Sequence, residues 1–183
     1  MYQYLKFLAI IVSLIITALK NASLLYVAWT SDFVYFLLDD SLRVHERVGR
    51  YIAANLNFVP PLGLKLYDYG QLAVSATAGI ILLLPLVWAY KNGSRMFREV
   101  SQDLALLILL LIFFGVVVDM AHSAIKLGWK ITFLLGVIED GGEMLSVSLI
   151  LWYVFLMMVR NGDSGCYLAD CARIVLTRRS TAP

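Results

Sequence analysis

Carboxylate and histidine residues recur at helical spacing in the second half of the chain. Asp119 and His122 are three residues apart, and Glu139 and Glu143 are four residues apart. Residues at these separations project from one face of an α-helix. A carboxylate followed three residues later by histidine is an arrangement by which bundle helices offer ligands to metal ions. We therefore predict that these four residues form the core of a polar site.

A second histidine, His45, lies near carboxylates in the first half of the chain. Glu46 follows it directly, and Asp40 precedes it by five residues, which is about 140° around an ideal helix. Asp40 and His45 could therefore act together only through a kink or with separate partners. We predict that His45 and Glu46 close the site. The supporting residues are Asp39, Asp40, Asp140 and Lys20.

These ligand types are compatible with more than one chemistry. Imidazole and carboxylate groups suit zinc, iron or manganese better than copper(I). One ion with bound water would support hydrolysis of a membrane-dissolved substrate, whereas two ions would also permit redox chemistry. The same residues could instead stabilise the bundle or relay protons without a metal. A salt-bridged helix face, Asp39-Arg43-Glu46-Arg50, is a third interpretation.

The composition excludes several classes of protein. Of the 183 residues, 61% are hydrophobic and only 15% are charged, and the mean hydropathy is +0.79. A soluble domain of this length would carry more charge. The net charge of +2 is too small and scattered for nucleic-acid binding. We predict an all-α integral membrane bundle whose partner is the lipid bilayer, with a membrane-protein partner or a second copy also compatible.

Apolar runs predict the elements that position the site. Four transmembrane helices are expected within residues 1–160, over residues 4–29, 70–90, 104–121 and 136–159. The mixed pattern over residues 32–55 predicts one interfacial amphipathic helix capped by Thr30 or Ser31, although a short fifth span is compatible. Residues 161–183 are expected to form a cytoplasmic tail.

Lys20 is unusual because it interrupts the first apolar run. It lies about 20 Å along the predicted helix, where an ionisable group either has a partner or extends to the headgroups. Asp119 and the acids around Glu139 are the candidate ion-pair partners of Lys20.

Basic residues predict the orientation. Lys91, Arg95 and Arg98 follow the second span closely, and further arginines lie in residues 160–183. Basic loops favour the cytoplasm, so we predict a multi-pass inner-membrane protein with both termini cytoplasmic. Both histidines and most acids would then lie on the outer side.

The stretch Phe36-Leu37-Leu38-Asp39-Asp40, followed by His45-Glu46, resembles a helix in uncharacterised bacterial multi-pass inner-membrane proteins. Asp119 and the stretch Glu139-Asp140-Gly141-Gly142-Glu143 are similar to their later part, an aspartate-bearing span followed by a Glu-Asp-x-x-(Lys or Glu) helix. The resemblance implies no particular activity. It does imply that one constellation contains Asp39, Asp40, His45, Glu46, Asp119, Glu139 and Asp140.

Overall fold

The computed structural model describes residues 2–21, 23–55, 64–124 and 128–159, and all regular structure in these ranges is helical. The helices are α1 (Tyr2–Lys20), α2 (Tyr26–Leu42), α3 (Val44–Ala54), α4 (Leu66–Asn92), α5 (Arg95–Ile112), a π-helical segment (Phe113–Val118), α6 (Asp119–Ala124) and α7 (Trp129–Val159). The predicted tail at residues 161–183 lies outside the described residues.

Four helical stretches are long and apolar enough to cross a membrane. They are Gln3–Lys20, Leu66–Asn92, Arg95–Ala124 and Trp129–Val159, so the four predicted spans are confirmed as long apolar helices. The third is continuous through α5, the π-helical segment and α6. The Gly141-Gly142 pair does not break α7, and Glu139 and Glu143 therefore remain one helical turn apart.

The first predicted span is too long, because the chain turns back after Lys20. Tyr4 Oη donates a hydrogen bond to the Asp40 carbonyl oxygen at 3.4 Å, and Phe7 stacks on Phe36 with ring centroids 6.2 Å apart. These contacts join the beginning of α1 to the end of α2. The two helices therefore form an antiparallel hairpin.

Helix α2 packs against the other helices of the bundle. Its Trp29 Nε1 donates to Ser101 Oγ at 3.0 Å, and Tyr26 meets Phe97 edge to face at 5.1 Å. Phe33 is fully buried. With 17 residues, α2 is about 26 Å long, which is close to the thickness of a hydrocarbon core.

The prediction of one helix over residues 32–55 is also wrong. Arg43 adopts left-handed backbone angles, φ 50° and ψ 51°, and separates α2 from α3. The predicted caps lie within α2, where Thr30 Oγ1 donates to the Tyr26 carbonyl and Ser31 Oγ donates to the Ala28 carbonyl. Both hydroxyls are thus used inside the helix instead of beginning it.

The hairpin changes which ends of the helices lie together. Lys6 Nζ donates to Ser148 Oγ at 2.8 Å, and Lys20 Nζ donates to the Met158 carbonyl at 3.4 Å, so α1 and α7 run parallel. We call the end with Lys6 and the beginning of α7 the site end, and the end with Lys20 and Met158 the far end. Helices α1, α4 and α7 run from the site end to the far end, and α2 and α5–α6 return.

The start of α1 and the end of α7 consequently lie at opposite ends of the described bundle. The sequence analysis expected both chain ends on the side away from the acids, whereas α1 begins at the site end and α7 ends at the far end. The last residues, 160–183, lie outside the described residues. The reason is physical: α2 adds a helix antiparallel to α1, and three acidic residues, Asp32, Asp39 and Asp40, conceal it in the hydropathy pattern.

Two glycines allow α3 to lie directly on α4. A β-carbon at Gly70 would collide with the Gly49 carbonyl group, and a β-carbon at Gly49 would lie 2.7 Å from the Gln71 nitrogen. The two backbones can approach this closely only because neither residue has a side chain. This contact fixes α3, and with it His45, over the first turns of α4.

A third glycine, Gly142, allows α7 to pack closely against the π-helical segment. A β-carbon at Gly142 would overlap the Phe114 ring, whereas one at the neighbouring Gly141 would meet no atom within 4 Å. We expect Gly142→Ala to destabilise the folded protein by about 1 kcal/mol, because the ring must move. Gly141→Ala is the matched control and should be neutral or stabilising by up to about 1 kcal/mol. Unfolding in detergent measures both, and equal effects would contradict this packing.

Candidate functional site

Two of the four predicted core residues, His122 and Glu139, form a direct contact between α6 and α7. His122 Nδ1 and Glu139 Oε2 are 2.8 Å apart, and both side chains are largely buried, with 28% and 20% of their surfaces exposed. The π-helical segment ends immediately before Asp119. Such segments shift the register of the helix that follows, and they are frequent at functional sites. Here the segment sets the direction in which Asp119 and His122 project.

The second histidine is held by Asp39 rather than by Asp40. His45 Nδ1 lies 2.7 Å from Asp39 Oδ2, and the backbone nitrogen of His45 donates to Asp39 Oδ1 at 2.8 Å. The left-handed turn at Arg43 makes this possible, because it folds the beginning of α3 back onto the last turn of α2. The helix is thus kinked between Asp40 and His45, but the kink brings His45 to Asp39 and not to Asp40.

Asp119 lies between the two histidine–carboxylate pairs. Its carboxylate is within electrostatic reach of both His45 and His122, and also of Glu139 and Asp68. The structure thus gathers residues from α2, α3, α4, α6 and α7 at the site end.

Glu143 extends the cluster towards the π-helical segment. It is within electrostatic reach of Glu139, Asp140, Asp40 and Asp119. A β-carbon at Gly115 would lie 2.6 Å from Glu143 Oε1, so the absence of a side chain at position 115 makes room for this carboxylate.

Two of the predicted site residues have other roles. Glu46 lies 3.9 Å from Arg43 and 3.7 Å from Arg50, as the salt-bridged interpretation of this helix face predicts. Lys20 lies at the far end, near Met158. The proposed pairing of Lys20 with Asp119 is therefore wrong, because the length of α1 separates them.

The environment of His45 favours its protonated form. The hydrogen bond that His45 donates to Asp39 raises the pKa of His45 above its ordinary value of 6.5, partial burial opposes this, and the charges of Asp39, Glu46 and Asp119 add to the increase. Because the pKa is raised in the folded state, the interaction stabilises the fold below the ordinary histidine pKa. This contribution disappears as the pH rises through the raised value.

We expect Asp39→Asn to lower the pKa of His45, because the amide keeps a hydrogen-bond acceptor but loses the charge. NMR titration of the imidazole Cε1–H signals in micelles measures this shift, and a His122→Gln background identifies the His45 signal. Asp140→Asn is the control, since the exposed Asp140 is not among the groups that act on His45. An unchanged His45 titration in Asp39→Asn would contradict the assignment.

A pocket opens beside the His122–Glu139 pair. It has a volume of about 700 Å³. Its walls combine acids, a lysine and a tryptophan. The lining residues are Lys65, Asp119, His122, Ser123, Gly128, Trp129, Thr132, Gly136, Glu139 and Asp140. The pocket gives the solvent access to Asp119 and His122.

Asp68 and Lys6 also lie at the site end, although neither was a predicted site residue. Asp68 is buried, and its Oδ2 accepts a hydrogen bond from the Lys65 backbone nitrogen at 2.8 Å at the beginning of α4. The sequence signal for Asp68 was an acidic residue in the first turn of a long apolar helix, which is typical of a helix N-terminus. Lys6 reaches the site end only because α1 and α7 are parallel, which the sequence pattern does not show.

The geometry of the cluster bears on metal binding. Among the residues that the structure describes, no three His, Cys, Asp or Glu side chains are close enough together to hold one ion. Each histidine places Nδ1 against a carboxylate, and Nε2 is the nitrogen that would bind a metal. Side-chain movement would be needed to bring a third ligand to it.

The protein is thus a small helical bundle with a partly buried polar site. Several of its helices are long enough to span a membrane, and two histidine–carboxylate pairs lie at one end. The chain belongs to the family described as a domain of unknown function, DUF8692, which it matches over residues 3–159. That range contains every residue of the site. No curated protein and no solved structure matches the chain.

Proposed function

We propose that this protein is a multi-pass inner-membrane protein that relays protons. The observation that carries the proposal is the pair of histidine–carboxylate hydrogen bonds, 2.7 Å and 2.8 Å long, with Asp119 within electrostatic reach of both histidines. Histidine changes charge near neutral pH, and a carboxylate beside it can accept or return a proton over one hydrogen bond.

The surface of the bundle supports the membrane location. Large apolar side chains are exposed along α4 and α7, including Ile80, Leu84, Trp88 and Phe133. Such a surface suits lipid and would be unfavourable in water. The short connection between α4 and α5 is basic, with Lys91, Arg95 and Arg98 around it. We orient this far end to the cytoplasm and the site end to the outer side.

The uncompensated acids in the cluster support proton binding. In the described residues, Asp119, Glu143 and Asp40 have no ion-pair partner. Several carboxylates close together and partly out of water cannot all remain ionised without a cation. Protons satisfy this requirement with the side chains as they stand, whereas a metal ion would require the ligands to move.

Vesicles containing the purified full-length protein test the proposal. After a pH gradient is imposed, an enclosed pH-sensitive dye should report faster collapse of the gradient than in protein-free vesicles. The His45→Gln/His122→Gln variant should behave like empty vesicles, since glutamine retains hydrogen bonding but cannot be protonated. Glu99→Gln is the control, because Glu99 pairs with the exposed Arg95 at the far end. Equal rates for wild-type protein and the double variant would reject the proposal.

A divalent metal centre is the second candidate, and one observation favours it. Histidines that bind metals commonly place their other ring nitrogen against a carboxylate, as His45 and His122 both do. Zinc, iron or manganese at Asp119, with His45 and His122 Nε2, would then serve chemistry on a substrate in the adjoining pocket. Stoichiometric metal in the wild-type protein and its loss in the double histidine variant would support this candidate.

A further inference from the structure

Helix α2 contains two buried polar atoms that have no hydrogen-bond partner. They are Asp32 Oδ1 and the Tyr35 hydroxyl oxygen. Within the described residues, these two are the buried side-chain polar atoms without a partner. Asp32 is only 4% exposed. Neither atom belongs to the histidine–carboxylate cluster.

Buried polar groups of this kind are costly, and they require an explanation. An unsatisfied buried polar group destabilises the folded state, and an isolated buried carboxylate does so more strongly unless it is neutral. Such groups often mark a site for water or an ion. Asp32 has no ion-pair partner among the described residues, so the neutral, protonated acid is its favourable form.

The positions of the two residues relate them to each other and to the cluster. Asp32 and Tyr35 are three residues apart and share one face of α2, with about 4.5 Å between them along the axis. Asp39 lies one further turn towards the site end, and its carboxylate acts electrostatically on Tyr35. The three side chains therefore form a line from the middle of the bundle to the cluster.

A second acid, on α5, lies at about the same depth in the bundle as Asp32. Trp29, one turn before Asp32, bonds to Ser101, and two residues further along α5 Asp103 accepts a hydrogen bond from Tyr153 at 2.9 Å. Because α2 and α5 both run from the far end to the site end, Asp32 and Asp103 lie at about the same depth, in the middle of the bundle.

We infer that Asp32 is a proton-binding group in the middle of the bundle, and that water held between Asp32 and Tyr35 connects it to the site end. Asp32 gives its proton to the water, the water gives a proton to the Tyr35 hydroxyl group, and the hydroxyl releases its own proton to the Asp39 carboxylate at the site end. Asp32 is left as a carboxylate until a proton returns, so the charge is conserved at every step. This inference rests on the proposed proton relay and identifies Asp32 as its proton-binding group inside the bundle.

An apolar carbodiimide tests the state of Asp32 without any assumption about transport. Dicyclohexylcarbodiimide adds to the O–H of a protonated carboxyl group, and mass spectrometry of the full-length protein in detergent locates the adduct. We expect an adduct at Asp32 and none in Asp32→Asn. Absence of the adduct at Asp32, or its suppression by added sodium chloride, would overturn the inference in favour of an ionised acid or a bound cation.

Proton flux in the vesicle assay tests the connection. Asp32→Asn should lower the rate of gradient collapse by about 100-fold, because the amide cannot exchange a proton. Tyr35→Phe should lower it as well while leaving the folded protein intact, and Tyr51→Phe is the matched control because Tyr51 is exposed on α3. If wild-type protein conducts but both α2 variants conduct equally well, this inference fails and the proposed relay stands. If wild-type protein does not conduct, the relay fails while the carbodiimide result still decides the state of Asp32.

Discussion

Asp119→Asn is expected to lower the rate of proton relay by about 100-fold, with little change in the stability of the fold. Asparagine has almost the same size and keeps one carbonyl oxygen, but it can neither accept nor return a proton. Asp119 is within electrostatic reach of His45, His122, Glu139 and Asp68, so it is the group through which the two histidine–carboxylate pairs influence each other. Gradient collapse in vesicles measures the rate.

A second readout separates this role from simple structural support. The charge of Asp119 contributes to the raised pKa of His45, so Asp119→Asn should lower the pKa of His45 in the NMR titration. Asp140→Asn supplies the control, because Asp140 is exposed in the same pocket. A variant that conducts normally and leaves the His45 titration unchanged would show that Asp119 does not link the two pairs.

Gly70→Ala is expected to destabilise the folded protein by about 1–3 kcal/mol, since overpacking in a closely packed region usually costs this much. The added methyl group would meet the Gly49 carbonyl group of α3, and backbone cannot move aside as a side chain can. Displacement of α3 would also carry His45 away from Asp39, so relay should fall together with stability.

Gly79→Ala is the matched control for this variant. It lies on the same helix, and a β-carbon there would meet no atom within 4 Å. Unfolding in detergent should therefore separate the two alanine variants clearly. Equal stabilities would mean that α3 does not rest on α4 through the two glycines.

The helical spans and one site contact could be predicted from the sequence because they depend on local periodicity. Long apolar runs require helices in lipid, and α4 and α7 follow from them directly. The pairing of His122 with Glu139 follows from two consecutive antiparallel helices, each with polar residues one turn apart.

The α1–α2 hairpin could not be predicted in the same way. Asp32, Asp39 and Asp40 make α2 too polar for a hydropathy criterion, although its apolar residues, such as Phe33, are buried against other helices. The left-handed conformation of Arg43 has no local sequence signal, because such angles favour glycine or asparagine. Its stability comes from tertiary contacts, including the bonds between His45 and Asp39.

The gathering of the acids at one end was predicted for the most part, but the position of α1 was not. The number of antiparallel helices decides which helix ends lie together. Because α2 was not recognised as a separate helix, α1 was expected to begin at the opposite end of the bundle from the acids. Lys20 was therefore assigned to the wrong end, while Lys6 Nζ in fact bonds to Ser148 near the cluster.

Proton flux measured with a metal chelator present tests the central claim most directly. Vesicles containing wild-type protein should collapse a pH gradient equally fast with and without the chelator, and those containing His45→Gln/His122→Gln should not exceed the rate of empty vesicles. Loss of the wild-type flux on chelation, or an undiminished flux in the double variant, would contradict a metal-free proton relay through His45 and His122.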